Sequence, residues 1–298
     1  MATKNVEDLP AEELAAPQVA RLPRLRTLLA RSAIYLILIM GTVWALIPVY
    51  WTLNTSFKPM SDILKLNVAL WPKHFTLANY DFMLTDQVLT PLYNSIIVAV
   101  GTVVLGLFVA ALAGYATARF EFPGKRLVLG ILLFTIMLPG VVILIPLYIQ
   151  MADLNLLDTY QVLILLTAAW VIPFTVWLMK GFFEAIPPEL DNAAMVDGYS
   201  RLGAFLRIVL PLSRQGLAAG ALYIFIAAWN SFLYPLIFTD KADMQTLPLF
   251  LYSFLGFYDI DWGRLTAAAV VAAAPVTILF ILLQRSFIEG LIKGSLKG

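Results

Sequence analysis

The chain has 298 residues but contains no cysteine and a single histidine, His74. Disulfides, thiolate metal sites and cysteine nucleophiles are therefore excluded, a zinc site of the common His or Cys types cannot be built, and a Ser-His-Asp triad would need His74. Charge is also scarce. Charged residues make up 13% of the chain and hydrophobic residues 61%, against about 25% and about 45–50% in soluble domains. These values argue against a disordered chain, a nucleic-acid-binding protein or an ordinary cytosolic enzyme, and they indicate a membrane protein.

Long uncharged stretches divide the chain. Each holds at least the roughly 20 residues that a bilayer-spanning helix needs, and none contains Asp, Glu, Lys, Arg or His. The six stretches are 32–57, 87–118, 127–152, 159–179, 215–239 and 265–284. We therefore predict an all-α, polytopic membrane protein with six transmembrane helices in a domain over 32–284. A seventh uncharged segment, 244–258, is too short to span and is predicted to be re-entrant or interfacial.

The distribution of Lys and Arg predicts the orientation. Residues 1–31 are acidic near their start and do not read as a signal peptide. With this segment placed in the cytoplasm, fifteen of the 20 cations fall on the cytoplasmic side. The other five are Lys58, Lys65, Lys73, Lys241 and Arg264. This asymmetry is the positive-inside pattern, so both the N-terminal segment 1–31 and the C-terminal tail 285–298 are predicted to be cytoplasmic.

Motifs for an energy source are missing. The only Gly-Lys pair, Gly124-Lys125, is followed by Arg126, so the chain has no phosphate-binding loop of the Walker A type. The lack of ionisable residues in the predicted spans counts against proton coupling, although Na⁺ coupling through backbone carbonyls stays open. If the chain moves a solute, we expect a partner to supply the energy.

The predicted cytoplasmic loop 181–214 carries a helix signal. Pro187-Pro188 suits a helix start, and Gly198 suits its end. The spacing predicts about ten helical residues, roughly 15 Å long, with Leu190, Ala193, Ala194 and Asp197 on one face. Ser200 can cap a second helix. From periodicity alone, the first helix is either solvated or docked against another protein.

The same loop resembles a known motif. The run Ala193-Ala194-x3-Gly198-x9-Ile208-x-Leu210-Pro211 is similar to the EAA loop of ABC-importer permease subunits. The resemblance implies a coupling helix that docks in a cleft of a cytoplasmic ATPase. The implied docking residues are Glu189, Asp191, Asn192, Ala193, Ala194, Asp197 and Gly198. The family usually has Glu where this chain has Asn192.

Three further stretches resemble sugar importers of the maltose/trehalose type. They are Tyr115–Gly124 (YATARFEFPG), Trp229–Leu236 (WNSFLYPL) and the tail Gly290-Leu291-x2-Gly294-x2-Lys297-Gly298. The resemblance implies that Gly290, Leu291, Gly294 and Lys297 contact the ATPase.

The fifth predicted span holds the candidate pathway residues. Asn230 is expected either to hydrogen-bond to a neighbouring helix or to line the translocation path. Trp229, Phe232 and Tyr234 either stack on a sugar ring or serve as interfacial and core residues. The acidic loop 240–263 is either a solvated external cap or a contact for a binding protein.

Together the resemblances imply a permease subunit of a binding-protein-dependent ABC importer in the inner or plasma membrane. It would form half of a pathway for a di- or oligosaccharide. The implied partners are a second permease, an ATPase dimer, an extracytoplasmic binding protein and membrane lipid, with no nucleic acid. The chain would be no enzyme and hold no cofactor, with ATP and Mg bound on the ATPase. A polyol or glycerol-phosphate-type solute is the alternative substrate, and an ion-coupled secondary carrier is the alternative class.

Overall fold

The computed structural model describes residues 22–65, 69–256 and 260–295, and it describes side chains from residue 28 to residue 284 within those ranges. The chain divides into two compact units, residues 1–51 and 52–298. The first contributes most of helix α1 (Leu22–Ser56). The second contains the remaining elements and both candidate sites.

Four helices are long and apolar enough to cross a bilayer unbroken. They are α1, α3 (Asp86–Arg119), α6 (Tyr160–Glu184) and α13 (Trp262–Ser295). A short helix, α2 (Met60–Ile63), and a 3-10 turn, Ala78–Tyr80, lie between α1 and α3. The described residues contain no β-strand beyond an isolated bridge between Leu255 and Ile260. The prediction of an all-α membrane protein is confirmed.

The third and fifth predicted spans are broken helices. The third consists of α4 (Lys125–Met137), a 3-10 turn (Gly140–Ile143) and α5 (Leu144–Asp153), with a bend of 95°. Pro139 precedes the turn with extended backbone (φ −67°, ψ 112°), which cannot continue a helix. Six crossings result if each bent pair is one span. The third predicted span, 127–152, therefore consists of two helices joined by a turn.

The fifth stretch ends its first helix early. Helix α10 (Arg214–Trp229) spans only 16 residues, or about 24 Å, and α11 (Leu233–Phe238) follows after a break at residues 230–232. Before α10, the chain forms α7 (Glu189–Val196), α8 (Arg201–Ala204), a π-turn (Phe205–Val209) and α9 (Leu210–Leu212). The segment from 201 to 212 meets α10 at 78°.

Helices α3, α6 and α10 pack closely through small residues. An added Cβ on Gly114 of α3 would lie 2.8 Å from the Cβ of Met179 on α6, so only glycine permits this approach. Small residues at membrane helix interfaces commonly have this function. Around this contact, Ala110, Val176, Met179 and Phe183 are completely or almost completely buried. The packing fixes the ends of α3 and α6 beside the loop that follows.

Candidate coupling loop and pathway cavity

Helix α7 begins and ends as the sequence predicts. Its first turn follows Pro187 and Pro188, whose carbonyls accept from Leu190 and Asp191. Gly198 has φ +90°. The amides of Gly198 and Tyr199 donate to the carbonyls of Met195 and Ala194 at 3.1 and 3.0 Å, which is the Schellman pattern that satisfies a helix end. Gly198 is therefore the left-handed stop of α7.

One face of α7 is turned into the protein. Asp191 is 8% exposed and Ala194 is 1% exposed. The hydroxyl of Tyr115 donates to Asp191 Oδ1 at 2.6 Å, and Arg119 Nε donates to Asp191 Oδ2 at 2.9 Å. Arg119 Nη2 also donates to the carbonyl of Ile186 at 2.8 Å. We name Tyr115, Arg119 and Asp191 the α3–α7 link. It joins the loop helix to the last turns of α3.

The opposite face of α7 is open. Glu189, Asn192, Ala193, Asp197 and Gly198 are exposed. Val196, which was not among the predicted docking residues, is 88% exposed. The two alanines predicted to form one surface lie on different faces, because consecutive helical residues are turned by about 100°. Docking of another protein at α7 stays a prediction.

The rest of the loop folds back onto the same helices. Ser200 Oγ accepts from the amide of Gly203 at 3.1 Å, as its predicted capping role requires. Phe205 is 2% exposed and its ring lies 4.5 Å from that of Tyr115, measured between centroids. Val209 is fully buried in the same cluster. The loop is therefore a packed extension of α3 and α6, which gives α7 a firm base.

Trp229 is a packing residue. It is 3% exposed, its ring stacks on Phe225 at 5.5 Å, and its Nε1 donates to the carbonyl of Ala272 on α13 at 3.1 Å. Its role in stacking on a sugar is untested, but its side chain already has both a ring neighbour and a hydrogen-bond acceptor.

Asn230 caps α10. Its Nδ2 donates to the carbonyl of Ile226 at 2.8 Å, and its backbone amide donates to the same carbonyl at 3.1 Å. The expected hydrogen bond to a neighbouring helix is replaced by this bond within α10. The reason is that α10 ends at Trp229, which leaves carbonyls of its last turn to be satisfied.

A cavity of about 530 Å³ lies where the two helix breaks meet α6. We name it the break cavity. Asn230, Phe232 and Tyr234 line it, and Trp229 does not. Three further lining residues, Gly140, Thr167 and Trp170, were not singled out from the sequence. A tryptophan and a threonine inside an apolar run give no sequence signal, because their position opposite residues 230–232 depends on helix packing.

The loop 240–263 is tied to α3 and to the α5–α6 connection. Asn94 Nδ2 donates to the carbonyls of Asp243 and Gln245 at 2.7 and 2.8 Å. Asp158 Oδ1 accepts from the amides of Asp240 and Lys241 at 2.7 and 3.0 Å. The bond from the Lys241 amide is the main cause that lowers the pKa of the Asp158 carboxyl from its ordinary value of 3.8.

Within this loop, the segment predicted to be re-entrant or interfacial forms a six-residue helix, α12 (Leu247–Tyr252). The predicted binding-protein contact of loop 240–263 stays a prediction. So do the segment boundaries and the cytoplasmic placement of both termini. The tail residues Gly290, Leu291 and Gly294 lie on α13. Their contacts, and Lys297 altogether, lie outside the described residues.

Comparison with known proteins places this architecture in a class. The family described as the binding-protein-dependent transport system inner membrane component matches residues 102–293. The fold is shared with a subunit of a bacterial ABC transporter involved in the import of the acidic polysaccharide alginate, with a TM-score of 0.76 at 23% identity over 91% of this chain and 100% of the other.

Two relatives are closer in sequence. The diacetylchitobiose uptake system permease protein DasC of Streptomyces coelicolor is 38% identical over 88% of this chain and 94% of its own. The trehalose/maltose transport system permease protein MalG of Thermococcus litoralis is 35% identical over 87% and 94%. The chain belongs to the family of binding-protein-dependent transport system inner membrane components. It is thus a multi-pass membrane subunit of an ABC importer.

Proposed function

We propose that this chain forms half of the transmembrane pathway of an ABC importer for a di- or oligosaccharide. Its relatives in Streptomyces coelicolor and Thermococcus litoralis carry the names of sugar uptake permeases. A second permease would supply the other half, and an extracytoplasmic binding protein would deliver the sugar. ATP and Mg would bind to a cytoplasmic ATPase dimer. A polyol or glycerol-phosphate-type solute is the weaker alternative, because the names of these relatives specify oligosaccharides.

The observation that carries this proposal is the two-sided helix α7. Its exposed face presents Asn192, Ala193 and Val196, while its inner face is held by the α3–α7 link. A helix that docks with one face and is anchored with the other can transmit motion. We infer that the ATPase binds the exposed face of α7, and that the contacts of Asp191 transmit the movement of α7 to α3.

The role of Asp191 differs from that of the other implied docking residues. Its carboxylate already accepts from Tyr115 and Arg119, so it acts as the inner attachment of α7. Ala194 packs beside it. Glu189, Asn192, Ala193, Asp197 and Gly198 remain the proposed contacts for the ATPase, and Val196 joins them as an apolar contact.

Two adjacent alanines offer a matched test. Because the chain has no cysteine, Ala193→Cys and Ala194→Cys each introduce one thiol into this subunit, one on the exposed face of α7 and one on its buried face. Each variant is purified with its partners and labelled with a maleimide carrying a photo-cross-linker. We expect a cross-link from position 193 to a P-loop ATPase and none from position 194, because residue 194 is 1% exposed.

The same preparation tests the wider proposal. Mass spectrometry of the purified assembly should identify an ATPase and a second permease, and the reconstituted assembly should accumulate a labelled oligosaccharide when ATP and binding protein are supplied. A chain that purifies alone would contradict the proposed assembly. Equal cross-linking from positions 193 and 194 would contradict the assignment of the faces.

A further inference from the structure

We propose that the break cavity is a binding site for an uncharged saccharide, formed within this subunit. The inference rests on the proposed function and adds a location, a ligand class and named contacts. Two interrupted helices meet at the cavity: Gly140 and Val141 lie in the break between α4 and α5, and residues 230–232 separate α10 from α11. Interrupted helices near a bilayer midplane are a recurring way to present backbone polar groups to a transported solute.

The cavity has the size and mixed lining of a small-molecule site. Its volume of about 530 Å³ lies in the range of about 300–1,000 Å³ that is usual for ligand pockets. Polar groups come from Thr167, Asn230, Ser231 and Tyr234, and apolar surface comes from Trp170 and Phe232. A saccharide needs this combination, because its hydroxyls hydrogen-bond while its C–H faces pack on aromatic rings.

Trp170 supplies an available ring. It is 42% exposed, and its position is fixed by Gly140, where an added Cβ would lie 3.1 Å from the Trp170 ring. Any larger residue at 140 would push the indole out of place. Phe232 contacts the ring of Tyr252 on α12, with ring centroids 5.4 Å apart. The aromatic surfaces are therefore held before a ligand arrives.

The ligand class follows from charge. None of the eleven described residues that line the break cavity is Asp, Glu, Lys, Arg or His. A carboxylate, sulfonate or phosphate ligand would be desolvated there without a counter-charge, which is strongly unfavourable. The cavity therefore favours a neutral di- or oligosaccharide over a uronic acid or a phosphorylated solute.

Protection of a single cysteine tests the site. In Ser231→Cys, the only thiol of this subunit lies in the break cavity, and a water-soluble methanethiosulfonate reagent reports its accessibility in the assembled importer in nanodiscs. We expect trehalose or diacetylchitobiose to slow labelling at least fivefold, with digalacturonate having no effect. Ser253→Cys, in the exposed turn after α12, should label at the same rate with every sugar.

Trp170 and Trp262 form a matched pair for the ring contact, since each is 42% exposed and only Trp170 lines the cavity. We expect Trp170→Ala to raise the disaccharide concentration for half-protection about tenfold. Trp170→Phe should keep this concentration close to the wild-type value, and Trp262→Ala should leave it unchanged. Import rates of the two tryptophan variants give a measurement that does not depend on the new cysteine.

Several outcomes would overturn the site. If the reagent cannot label the cysteine at position 231, lipid or the second permease fills the cavity. Equal protection by digalacturonate would contradict the ligand class. Unchanged import and protection in Trp170→Ala would contradict the ring contact. If the wild-type assembly imports the disaccharide with ATP while no protection occurs, the site is wrong and the proposed function stands. Absence of both import and ATPase would refute the proposed function itself.

Discussion

The α3–α7 link is the contact whose loss should separate ATP hydrolysis from transport. The side chains of Arg119 and Asp191 are 9% and 11% exposed, so the pair is largely removed from water. Removing one partner of a buried pair costs about 3–5 kcal/mol. Asp191→Asn keeps the shape and one acceptor, and Arg119 keeps the carbonyl of Ile186, so we expect the lower end, about 3 kcal/mol. Tyr115→Phe removes a single donor to a charged group and should cost about 1.5–3 kcal/mol.

These losses of interaction free energy are large enough to change how often α7 detaches from α3. Since about 1.4 kcal/mol corresponds to a factor of ten in an equilibrium, a loss of about 3 kcal/mol favours detachment of α7 from α3 roughly a hundredfold. The exposed face of α7 is unchanged in both variants, so the ATPase should still bind. We expect ATP hydrolysis to persist while sugar uptake per ATP falls, more in Asp191→Asn than in Tyr115→Phe. Reconstituted importer with labelled sugar and a phosphate-release assay measures both quantities.

A nearby ion pair provides the control. Lys180 and Glu184 are 2.6 Å apart, but the Glu184 side chain is 47% exposed, and exposed pairs contribute about 0–1 kcal/mol. Glu184→Gln should leave coupling and stability unchanged. The double variant Tyr115→Phe/Asp191→Asn should cost less than the sum of the single variants, because both act on one carboxylate. Normal uptake per ATP in Asp191→Asn would refute the transmission role, and full additivity would refute the shared contact.

Three more predictions concern single positions. Gly198→Val should strain the backbone at the end of α7, where φ is +90°, by more than about 1 kcal/mol and lower sugar uptake per ATP. Gly130→Val, on helix α4 with open space around it, should leave uptake per ATP unchanged. Equal effects of the two substitutions would contradict the role of the left-handed turn. The lowered pKa of Asp158 means that its contribution to stability is present at neutral pH and is lost as pH falls below about 3.8. The midpoint temperature of thermal unfolding should therefore fall less steeply between pH 7 and pH 3 in Asp158→Asn than in the wild type. Parallel profiles of the two proteins would contradict this contribution of Asp158. Trp229→Phe removes the hydrogen bond to Ala272 and keeps a smaller aromatic ring beside Phe225. It should lower stability by at least about 0.6 kcal/mol, since the loss of ring volume at a buried site adds to the lost hydrogen bond, and it should leave sugar half-saturation unchanged in uptake assays.

The loop 181–214 shows how much of the local structure can be predicted from the sequence. Pro187-Pro188, Gly198 and Ser200 determine local backbone geometry, and the structure confirms the start, the stop and the second cap. The direction in which α7 faces depends on contacts with distant residues. Asp191 points inward because it accepts hydrogen bonds from Tyr115 and Arg119 at the end of α3. These two residues lie 76 and 72 positions away along the chain. Nothing in the local pattern distinguishes this carboxylate from Glu189, which stays in solvent.

The fifth predicted span shows the opposite limit. Hydropathy measures composition over a window, so it located an apolar segment over 215–239 but could not detect a break at residues 230–232. That break makes Asn230 a helix cap and turns Phe232 and Tyr234 toward the break cavity. Trp229, one residue earlier, faces α13. Four neighbouring candidates thus have three different roles, as a helix cap, as cavity lining and in packing against α13, and the end of α10 decides between them.

By itself the sequence determined the helical membrane class, the apolar segments and the loop motif, because a bilayer selects on length, apolarity and charge, which are properties of consecutive residues. The tertiary structure decided which side chain of α7 anchors the loop, where two spans break, and that Thr167 and Trp170 meet residues 230–232. Those features arise from packing between segments far apart in the chain. The small residues at the α3–α6 contact, Gly114 among them, set that packing at distances no local pattern encodes.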